Sequence, residues 1–329
     1  MLKYNFVFLY ATQDYVYSIL GKELYNHPQV RIYKYAFDGP GYLQKIYHIH
    51  TAYSINEKIE LPFKKVWFNR RYNQNFNNNL PICFVYLGGN LLRFDGEFIE
   101  YVRERNPNNK IVVLHWDLIS KKIKYDYSII RNMVDLAISY DLEEARKYKI
   151  HYFREDTYSK IIEPPELISY DADVYFLGAA KDRLKSILST YNQLTKNGLK
   201  CKFLIAGVNK KDQYQAPGIE YIKGISYEEN IRNVINSRCV LEIIQKGSVD
   251  ITTRALEAIA YQRKFLTNCK TVPKDYFNKG QLQVFDNPED IDCSLLLEKY
   301  DPEDYLPLYD MNPIRRLYDI QEQLEKLKK

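Results

Sequence analysis

Residues 240–268 constrain the fold of this chain more than any other segment. VLEII is an apolar run typical of a short buried strand, QKGSVDIT is polar and indicates a loop, TRALEAIAYQ has helical spacing, and KFLTN starts a second strand. The segment is therefore predicted to be a strand, loop, helix, strand unit whose functional groups gather at one end.

Alternating strand and helix patterns extend over the rest of the chain. They favour an α/β fold built on parallel, doubly wound sheets. Strands are predicted at residues 5–10, 30–35, 82–87, 110–114, 136–139, 173–177 and 201–206. Helices are predicted at residues 15–26, 94–105, 142–148, 183–197, 227–237 and 313–328. Loops are predicted at 69–79, which is rich in asparagine, and at 178–182.

The length of 329 residues is large for one core and suits two domains. The best boundary is the segment EPPE at 163–166, because two prolines continue neither a helix nor a central strand. We therefore expect an N-terminal domain at 1–163, a C-terminal domain at 164–311 and a terminal helix at 312–329.

Composition narrows the class of protein. The net charge of +5 is spread along the chain, which is weak evidence for nucleic acid, so no nucleic-acid partner is expected. A mildly basic surface suits an anionic membrane or an anionic sugar nucleotide equally well. No apolar stretch approaches the ~20 residues of a membrane helix, and residues 1–11 are typical of a strand and not of a signal peptide, so a cytoplasmic location is expected. Five widely spaced cysteines indicate neither disulfides nor zinc.

The junction between loop and helix in residues 240–268 gathers groups that suit an anion. Ser248, Thr252 and Thr253 lie at the helix start, where the first backbone N–H groups have no partner within the helix. Arg254 and Glu257, three residues apart, share a helix face and would place a cation and an acid beside that site. A phosphate-binding site is therefore predicted.

A second helix start follows the strand at 173–177. Gly178 opens its loop, and Lys181 and Arg183 flank the helix start, so that charge and free N–H groups converge on one ligand. The alternative is that both cations are solvated helix-start residues. Their pairing with residues 240–268 favours the binding role.

Three segments carry a family resemblance within residues 173–293. DVYFLGAAKDRL, the region 218–227 and LEIIQKGSVDITTRALEAIAYQRKFLTN resemble bacterial GT-B glycosyltransferases of capsule, exopolysaccharide and lipopolysaccharide assembly. The resemblance implies two Rossmann-like domains facing a cleft, with an acceptor domain first and a nucleotide-sugar donor domain second. It also implies that the terminal helix crosses back to the first domain.

The resemblance further implies what the chain binds. The donor, UDP- or GDP-linked, is expected to be a substrate, with no cofactor and no metal, and Glu257 to hold its ribose. The acceptor is expected to be a saccharide carried on a lipid, with the enzyme peripheral to the inner face of the membrane. The residues expected to hold the donor diphosphate are Gly178, Lys181, Arg183, Ser248, Thr252, Thr253 and Arg254.

Two departures from the family pattern affect the chemistry. Retaining members have two glutamates separated by seven residues, and this chain has Val249 where the first would stand. The stereochemical outcome therefore stays open. Asp250 puts negative charge at the proposed phosphate site, so it is expected to cap the helix or to meet a sugar hydroxyl.

The acceptor-side base has three candidates. His115 and Asp117 follow the strand at 110–114, at the edge where open α/β sheets bind ligands, and Asp14 follows the first strand. The alternative is a turn histidine and helix-capping aspartates. Residues 88–90 (GGN) do not complete a dinucleotide-binding pattern.

Other interpretations remain at this point. Asp171 and Asp173 have the D-x-D form of metal-dependent transferases, but they precede a strand instead of following one. His48 and His50 could bind a metal from one face of a strand, but no third ligand has suitable spacing. The alternative functions are another sugar-nucleotide enzyme, such as an epimerase or hydrolase, and a non-catalytic scaffold of a polysaccharide assembly complex.

Overall fold

The structure is a computed structural model of the chain. It describes all residues except 11–15, 35–38, 57, 89–94, 116–117, 124–125, 155, 166–168, 246–251 and 328–329.

The chain forms two compact units. The first comprises Met1–Asp14, Lys22–Arg154 and Pro313–Lys329, and the second comprises Tyr15–Gly21 and Glu155–Asn312. The division falls after Arg154, earlier than the boundary that the prolines indicate.

The first unit contains a six-stranded sheet in the order β2-β1-β3-β4-β5-β6, and every pairing is parallel. The first five positions follow the flavodoxin-like order. The strands are β1 (Asn5–Tyr10), β2 (Val30–Lys34), β3 (Ile82–Leu87), β4 (Lys110–His115), β5 (Leu136–Ser139) and β6 (His151–Tyr152).

The second unit contains another parallel six-stranded sheet, in the order β12-β11-β10-β7-β8-β9. Counted from its own first strand, this is the Rossmann order 3-2-1-4-5-6. The strands are β7 (Ala172–Ala179), β8 (Cys201–Ala206), β9 (Ile219–Ile222), β10 (Ser237–Glu242), β11 (Lys264–Thr267) and β12 (Leu282–Val284).

Helices connect most of the strands, and the central strands are buried on both faces, which is why they are apolar throughout. Helix α1 (Val16–Tyr25) is divided between the units after Gly21. In the first unit the other helices are α2 (Gly41–Thr51), α3 (Tyr53–Asn56), α4 (Phe68–Tyr72), α5 (Gly96–Arg105), α6 (Ile119–Lys122), α7 (Ser128–Met133), α8 (Leu142–Tyr148) and the terminal α13 (Arg315–Lys326). In the second they are α9 (Leu184–Lys196), α10 (Tyr227–Ile235), α11 (Thr253–Ala260) and α12 (Cys293–Leu297). No helix within the described residues has the length and apolar composition needed to cross a membrane.

The terminal helix α13 packs in the first unit. Gln321 Oε1 accepts a hydrogen bond from the backbone N–H of Lys3 at 2.7 Å, and Lys3 Nζ lies 2.7 Å from Glu325 Oε1. The end of the chain is therefore attached next to its beginning.

Three local predictions were wrong. Residues 178–179 were predicted to lie in a loop but extend β7, because Gly178 and Ala179 pair with β8. Part of the predicted loop 69–79 is helix α4, in which the buried Arg71 forms a 2.6 Å ion pair with Asp95. His48 and His50 lie in helix α2 and not in a strand.

Candidate functional site

The second sheet splits at the carboxyl end of β7. This strand pairs with β8 as far as Ala179 opposite Ala206, but with β10 only as far as Tyr175 opposite Val240. The strand order reverses between β7 and β10, and such switch points are where open α/β sheets bind ligands. The predicted donor-site residues that the structure describes lie around this split.

Arg254 binds to β7 beside this split in the sheet. It lies in the first turn of α11 and donates to the carbonyl oxygen of Leu177 from Nε at 3.0 Å and from Nη2 at 2.6 Å. A Cβ atom at Gly178 would lie 3.5 Å from Arg254 Nη2 and 3.0 Å from Phe176 Cζ. The glycine therefore leaves the guanidinium room against the strand.

Arg183 forms hydrogen bonds on both sides of the same split. Its side chain is buried and donates from Nη1 to the carbonyl oxygen of Ile243 and from Nη2 to that of Ala179. Its Nε is also buried and has no acceptor among the described residues. Burial lowers the pKa of Arg183, and the charge of Arg254 lowers it further.

The two guanidinium groups concentrate positive charge. Within the described residues, neither Arg183 nor Arg254 forms an ion pair with a carboxylate. Lys181 is exposed in the turn before α9, where its backbone takes a left-handed φ of 44°. Because two like charges at a half-buried site are costly, a bound anion would offset their repulsion.

Helix α11 begins without a side-chain cap. Thr252 occupies the N-cap position, but its hydroxyl donates to Glu242 Oε1 instead of accepting from the helix backbone. The backbone N–H groups of Thr253 and Arg254 have no acceptor in the part of the chain that the structure describes. Two donors at the positive end of the helix therefore stand beside the guanidinium groups.

Glu242 is a residue of this site that the sequence analysis did not identify. It ends β10, is buried, and accepts hydrogen bonds from the hydroxyls of Thr252 and Thr267, the second at 2.7 Å. The one signal in the sequence is an acid at the end of an apolar strand, a position that requires donors. Glu242 thereby connects β10, β11 and the start of α11.

Glu257 lies one helical turn beyond Arg254 and is buried. Its Oε1 accepts hydrogen bonds from the Tyr227 hydroxyl at 2.8 Å and from Asn230 Nδ2 at 3.2 Å, and Tyr158 lies 2.9 Å from Tyr227 between the hydroxyl oxygens. Burial raises the pKa of Glu257, and the Tyr227 hydrogen bond and the charge of Arg254 oppose that shift. Its Oε2 has no hydrogen-bond partner among the described residues.

Three predicted site residues lie outside the described residues. They are Ser248 in the loop before α11, Asp14 after β1 and Asp117 after β4. The neighbouring Val249 and Asp250 also lie there.

His115 ends β4 and is only 4% exposed. Its Nε2 lies 2.9 Å from the Tyr127 hydroxyl within a hydrogen bond, and the two rings pack at 5.5 Å between centroids. Burial lowers the pKa of His115 to about 4. The side chain is therefore a neutral, hydrogen-bonded component of the core near neutral pH.

The acidic pair of β7 lies at the opposite end of the strand from the two arginines. Asp173 accepts a hydrogen bond from the Lys200 backbone at 2.8 Å and lies 3.4 Å from Arg238. Asp171 accepts from Asn236 Nδ2 at 3.2 Å. Within the described residues, no three His, Cys, Asp or Glu side chains group together as metal ligands would.

In sequence, no protein-family model and no curated protein matches the chain. In structure, it is similar to an α-glucosyltransferase in complex with UDP and a 13-mer DNA containing an HMU base, with 9% identity, a TM-score of 0.56, and coverage of 98% of this chain and 99% of that one. UDP-N-acetylglucosamine 2-epimerase from Rickettsia bellii is 12% identical, with a TM-score of 0.49 and coverage of 99% and 98%. The spinosyn rhamnosyltransferase SpnG is 8% identical, with a TM-score of 0.45 and coverage of 96% and 100%.

The likeness to the α-glucosyltransferase covers 98% of the chain and establishes the fold. The chain has an α/β fold of the GT-B type, with two parallel six-stranded sheets. The predicted fold class is therefore confirmed.

The low pKa of His115 predicts a pH dependence of stability. An exposed histidine in the unfolded chain binds a proton near pH 6.5, whereas the folded His115 does so only near 4. The folded pKa is depressed, so stability is fully present above pH 6.5 and is lost, by about 3 kcal/mol, as pH falls to 4. Urea unfolding between pH 7 and 4 measures this loss. The free energy of unfolding should fall less steeply with decreasing pH in His115→Gln than in the wild type. An equal decrease in both proteins would contradict the low pKa of His115.

Proposed function

We propose that this protein is a glycosyltransferase that moves a sugar from a nucleotide-sugar donor to an acceptor. The observation that carries the proposal is the pair Arg183 and Arg254 at the carboxyl end of β7. Both lie at the switch point of a Rossmann-order sheet, and neither pairs with a described carboxylate. A dianionic diphosphate is the ligand whose charge matches such a pair.

The donor diphosphate would bind where the two guanidinium groups and the start of α11 meet. Arg183 and Arg254 are already oriented by the carbonyl oxygens that they contact, so little reorganisation is needed when the leaving diphosphate gains charge. The N–H groups of Thr253 and Arg254 add donors, and Lys181 adds charge from the turn. Ser248 completes the proposed phosphate site, and Thr252, whose hydroxyl donates to Glu242, holds the start of α11 beside it.

Glu257 is proposed to hold the ribose of the donor. Tyr227 and Asn230 both donate to Oε1, which fixes the orientation of the carboxylate. Oε2 is then the oxygen that would accept from a ribose hydroxyl. The neighbouring Arg254 would orient the diphosphate on the same helix.

Asp117 is the proposed acceptor-side base, with Asp14 as the second candidate. A base must reach the acceptor hydroxyl and take its proton near neutral pH. His115 fits this requirement less well, because Tyr127 occupies its Nε2 and burial lowers its pKa to about 4. The carboxylate of Asp117, two residues beyond the end of β4 in sequence, would meet the requirement.

The proposed acceptor is a saccharide carried on a lipid, in bacterial surface polysaccharide synthesis. The motifs in residues 173–293 support this choice. DNA is the second candidate, favoured by the likeness to the α-glucosyltransferase in complex with DNA. Radiolabelled donor supplied with lipid-linked saccharides or with duplex DNA separates the two acceptors. Donor supplied alone separates transfer from epimerisation and hydrolysis.

Donor binding should depend on Arg254. Arg254→Ala removes a charged donor from the diphosphate site, so we expect binding of a nucleoside diphosphate to weaken by roughly 1.5–3 kcal/mol, or about 10- to 150-fold. Isothermal titration calorimetry with UDP, GDP, ADP and CDP measures it. Arg232→Ala is the matched control, since Arg232 is exposed and its one ion pair with a described residue is with Glu228, one turn away. Absence of binding by the wild type to all four nucleotides would rule out the proposed site.

Transfer should depend on Asp117 without a change in donor binding. Asp117→Asn should lower kcat by about 10²–10⁴ for an inverting reaction, because the base acts on the acceptor hydroxyl and not on the nucleotide. Asp14→Asn and His115→Gln are compared in the same assay of donor affinity and transfer. Wild-type transfer by Asp117→Asn together with a loss in Asp14→Asn would reassign the base.

Turnover should not require a divalent metal. The proposed leaving-group stabilisation comes from arginines and backbone N–H groups, and the acidic pair Asp171 and Asp173 lies at the other end of β7. Transfer rates should therefore be the same with and without excess EDTA. Loss of transfer with EDTA and recovery with Mn²⁺ would contradict this mechanism while leaving the donor-binding prediction intact.

A further inference from the structure

Six large apolar side chains are exposed within a short stretch of the first unit. Their relative exposures run from 51% to 80%, although the unit has an extensive core elsewhere. They are Tyr42, Ile46 and Ile49 of α2 and Ile59, Phe63 and Val66 of the segment that follows. We name this set the 42–66 surface.

Helix α2 is apolar on two separate faces. Leu43 and Tyr47, four residues apart, pack against the core of the first unit. Tyr42, Ile46 and Ile49 follow the spacing i, i+4, i+7 and form a second stripe that remains exposed. One apolar face is enough to attach a helix to its own domain, so the second face is available for something else.

His50 holds the following segment beside that stripe. Its Nδ1 accepts the indole N–H of Trp67 at 2.9 Å, which leaves Nε2–H to donate to the carbonyl oxygen of Pro62 at 2.6 Å. At 100° per residue, His50 lies between Ile46 and Tyr47 around the helix. The segment carrying Pro62 is therefore fixed next to the exposed stripe.

Phe63 directly follows Pro62 and has a strained backbone conformation. Its φ of 64° is left-handed, which is rare for a bulky residue, and the residue is 80% exposed. The backbone cost is not offset by burial of the ring within the described structure. Strain of this kind is retained where an exposed side chain has a task.

The charges around the 42–66 surface are mainly positive. Residues 40–70 contain five Lys and Arg and two Glu. Lys45, Lys58 and Arg70 are exposed and form no ion pair with a described residue. Lys64 and Lys65 are the cations of this stretch that pair with acids, Glu60 and Glu97.

We propose that the 42–66 surface binds the interface of an anionic lipid bilayer. Separate apolar side chains with aromatic tips enter a fluid acyl layer without needing a complementary partner, and the surrounding cations meet lipid headgroups. A second copy of this chain fits less well, because a two-fold interface would set the same cations against each other. The proposal concerns the first unit alone and does not depend on the donor site.

Co-sedimentation with vesicles tests the proposal. Wild-type protein should sediment with vesicles of phosphatidylglycerol and phosphatidylcholine, more weakly at high salt, and poorly with phosphatidylcholine alone. Ile46→Ser/Ile49→Ser/Phe63→Ser should reduce partitioning onto anionic vesicles more than tenfold. Lys45→Glu/Lys58→Glu should reduce it by a similar factor through charge alone, since each cation near the surface contributes about fivefold.

Matched variants in the second unit are the controls. Leu306→Ser/Leu308→Ser removes equally exposed apolar groups, and Lys210→Glu/Lys211→Glu reverses two exposed charges. Both should bind vesicles as the wild type does, and all variants should share its Tm and its size by light scattering. Wild-type protein that ignores anionic vesicles, or a triple serine variant that binds them normally, would overturn the proposal. A wild-type dimer that the triple variant converts to monomer would also overturn it, in favour of a second copy.

Discussion

The proposed donor site depends on one constraint, the early end of pairing between β7 and β10. Successive carbonyl groups of a strand point to opposite neighbours, and those of Leu177 and Ala179 point toward the side on which β10 no longer pairs. Buried carbonyl groups need partners. Arg254 and Arg183 supply them, so two side chains replace the missing ladder hydrogen bonds.

The hydrogen bonds that complete the sheet also determine the charge of the proposed site. The guanidinium groups that satisfy the sheet also bring two positive charges to its carboxyl edge. Glu242 is a buried acid of the site, and both of its oxygens accept from threonine hydroxyls. Because the Thr252 hydroxyl donates to Glu242, it does not cap α11, and the backbone N–H groups at the helix start are left for a ligand. Because Glu242 is hydrogen-bonded by the two threonines, the positive charge of the arginines and the free N–H groups of the helix start remain available to an anion.

Sequence patterns predicted the elements whose cause is local. Strands β5 and β8 lie where their apolar runs indicate, and Asp141 caps α8 by accepting from the Glu144 N–H, as a capping aspartate does. Contacts distant in sequence were not accessible in the same way. Arg254 reaches a carbonyl 77 residues earlier, and Glu242 meets Thr267 25 residues later. Local helix propensity does not predict either of these contacts between residues distant in sequence.

The residue types at the site were predictable, but their orientation was not. Arg183 was predicted to flank a helix start, where solvation was the alternative, and the structure buries it against Ala179 of β7 and Ile243, which follows β10. His115 was predicted at a carboxyl strand end, and it lies there, but its ring turns to Tyr127 in the core. A strand end can direct a side chain to the edge or to the core, and only packing decides between them.

The two ends of β7 differ in the charge that they leave unpaired. At the amino end Asp173 is already engaged by the Lys200 backbone and Arg238, so its charge is neutralised within the fold. At the carboxyl end, among the described residues, the arginine side chains donate hydrogen bonds to neutral carbonyl oxygens, which orient a cation without cancelling its charge. Helices that follow parallel strands also direct their positive ends to this edge. Charge left over by folding therefore accumulates at the end of the sheet where a nucleotide would bind, and not at the end that carries the acidic pair.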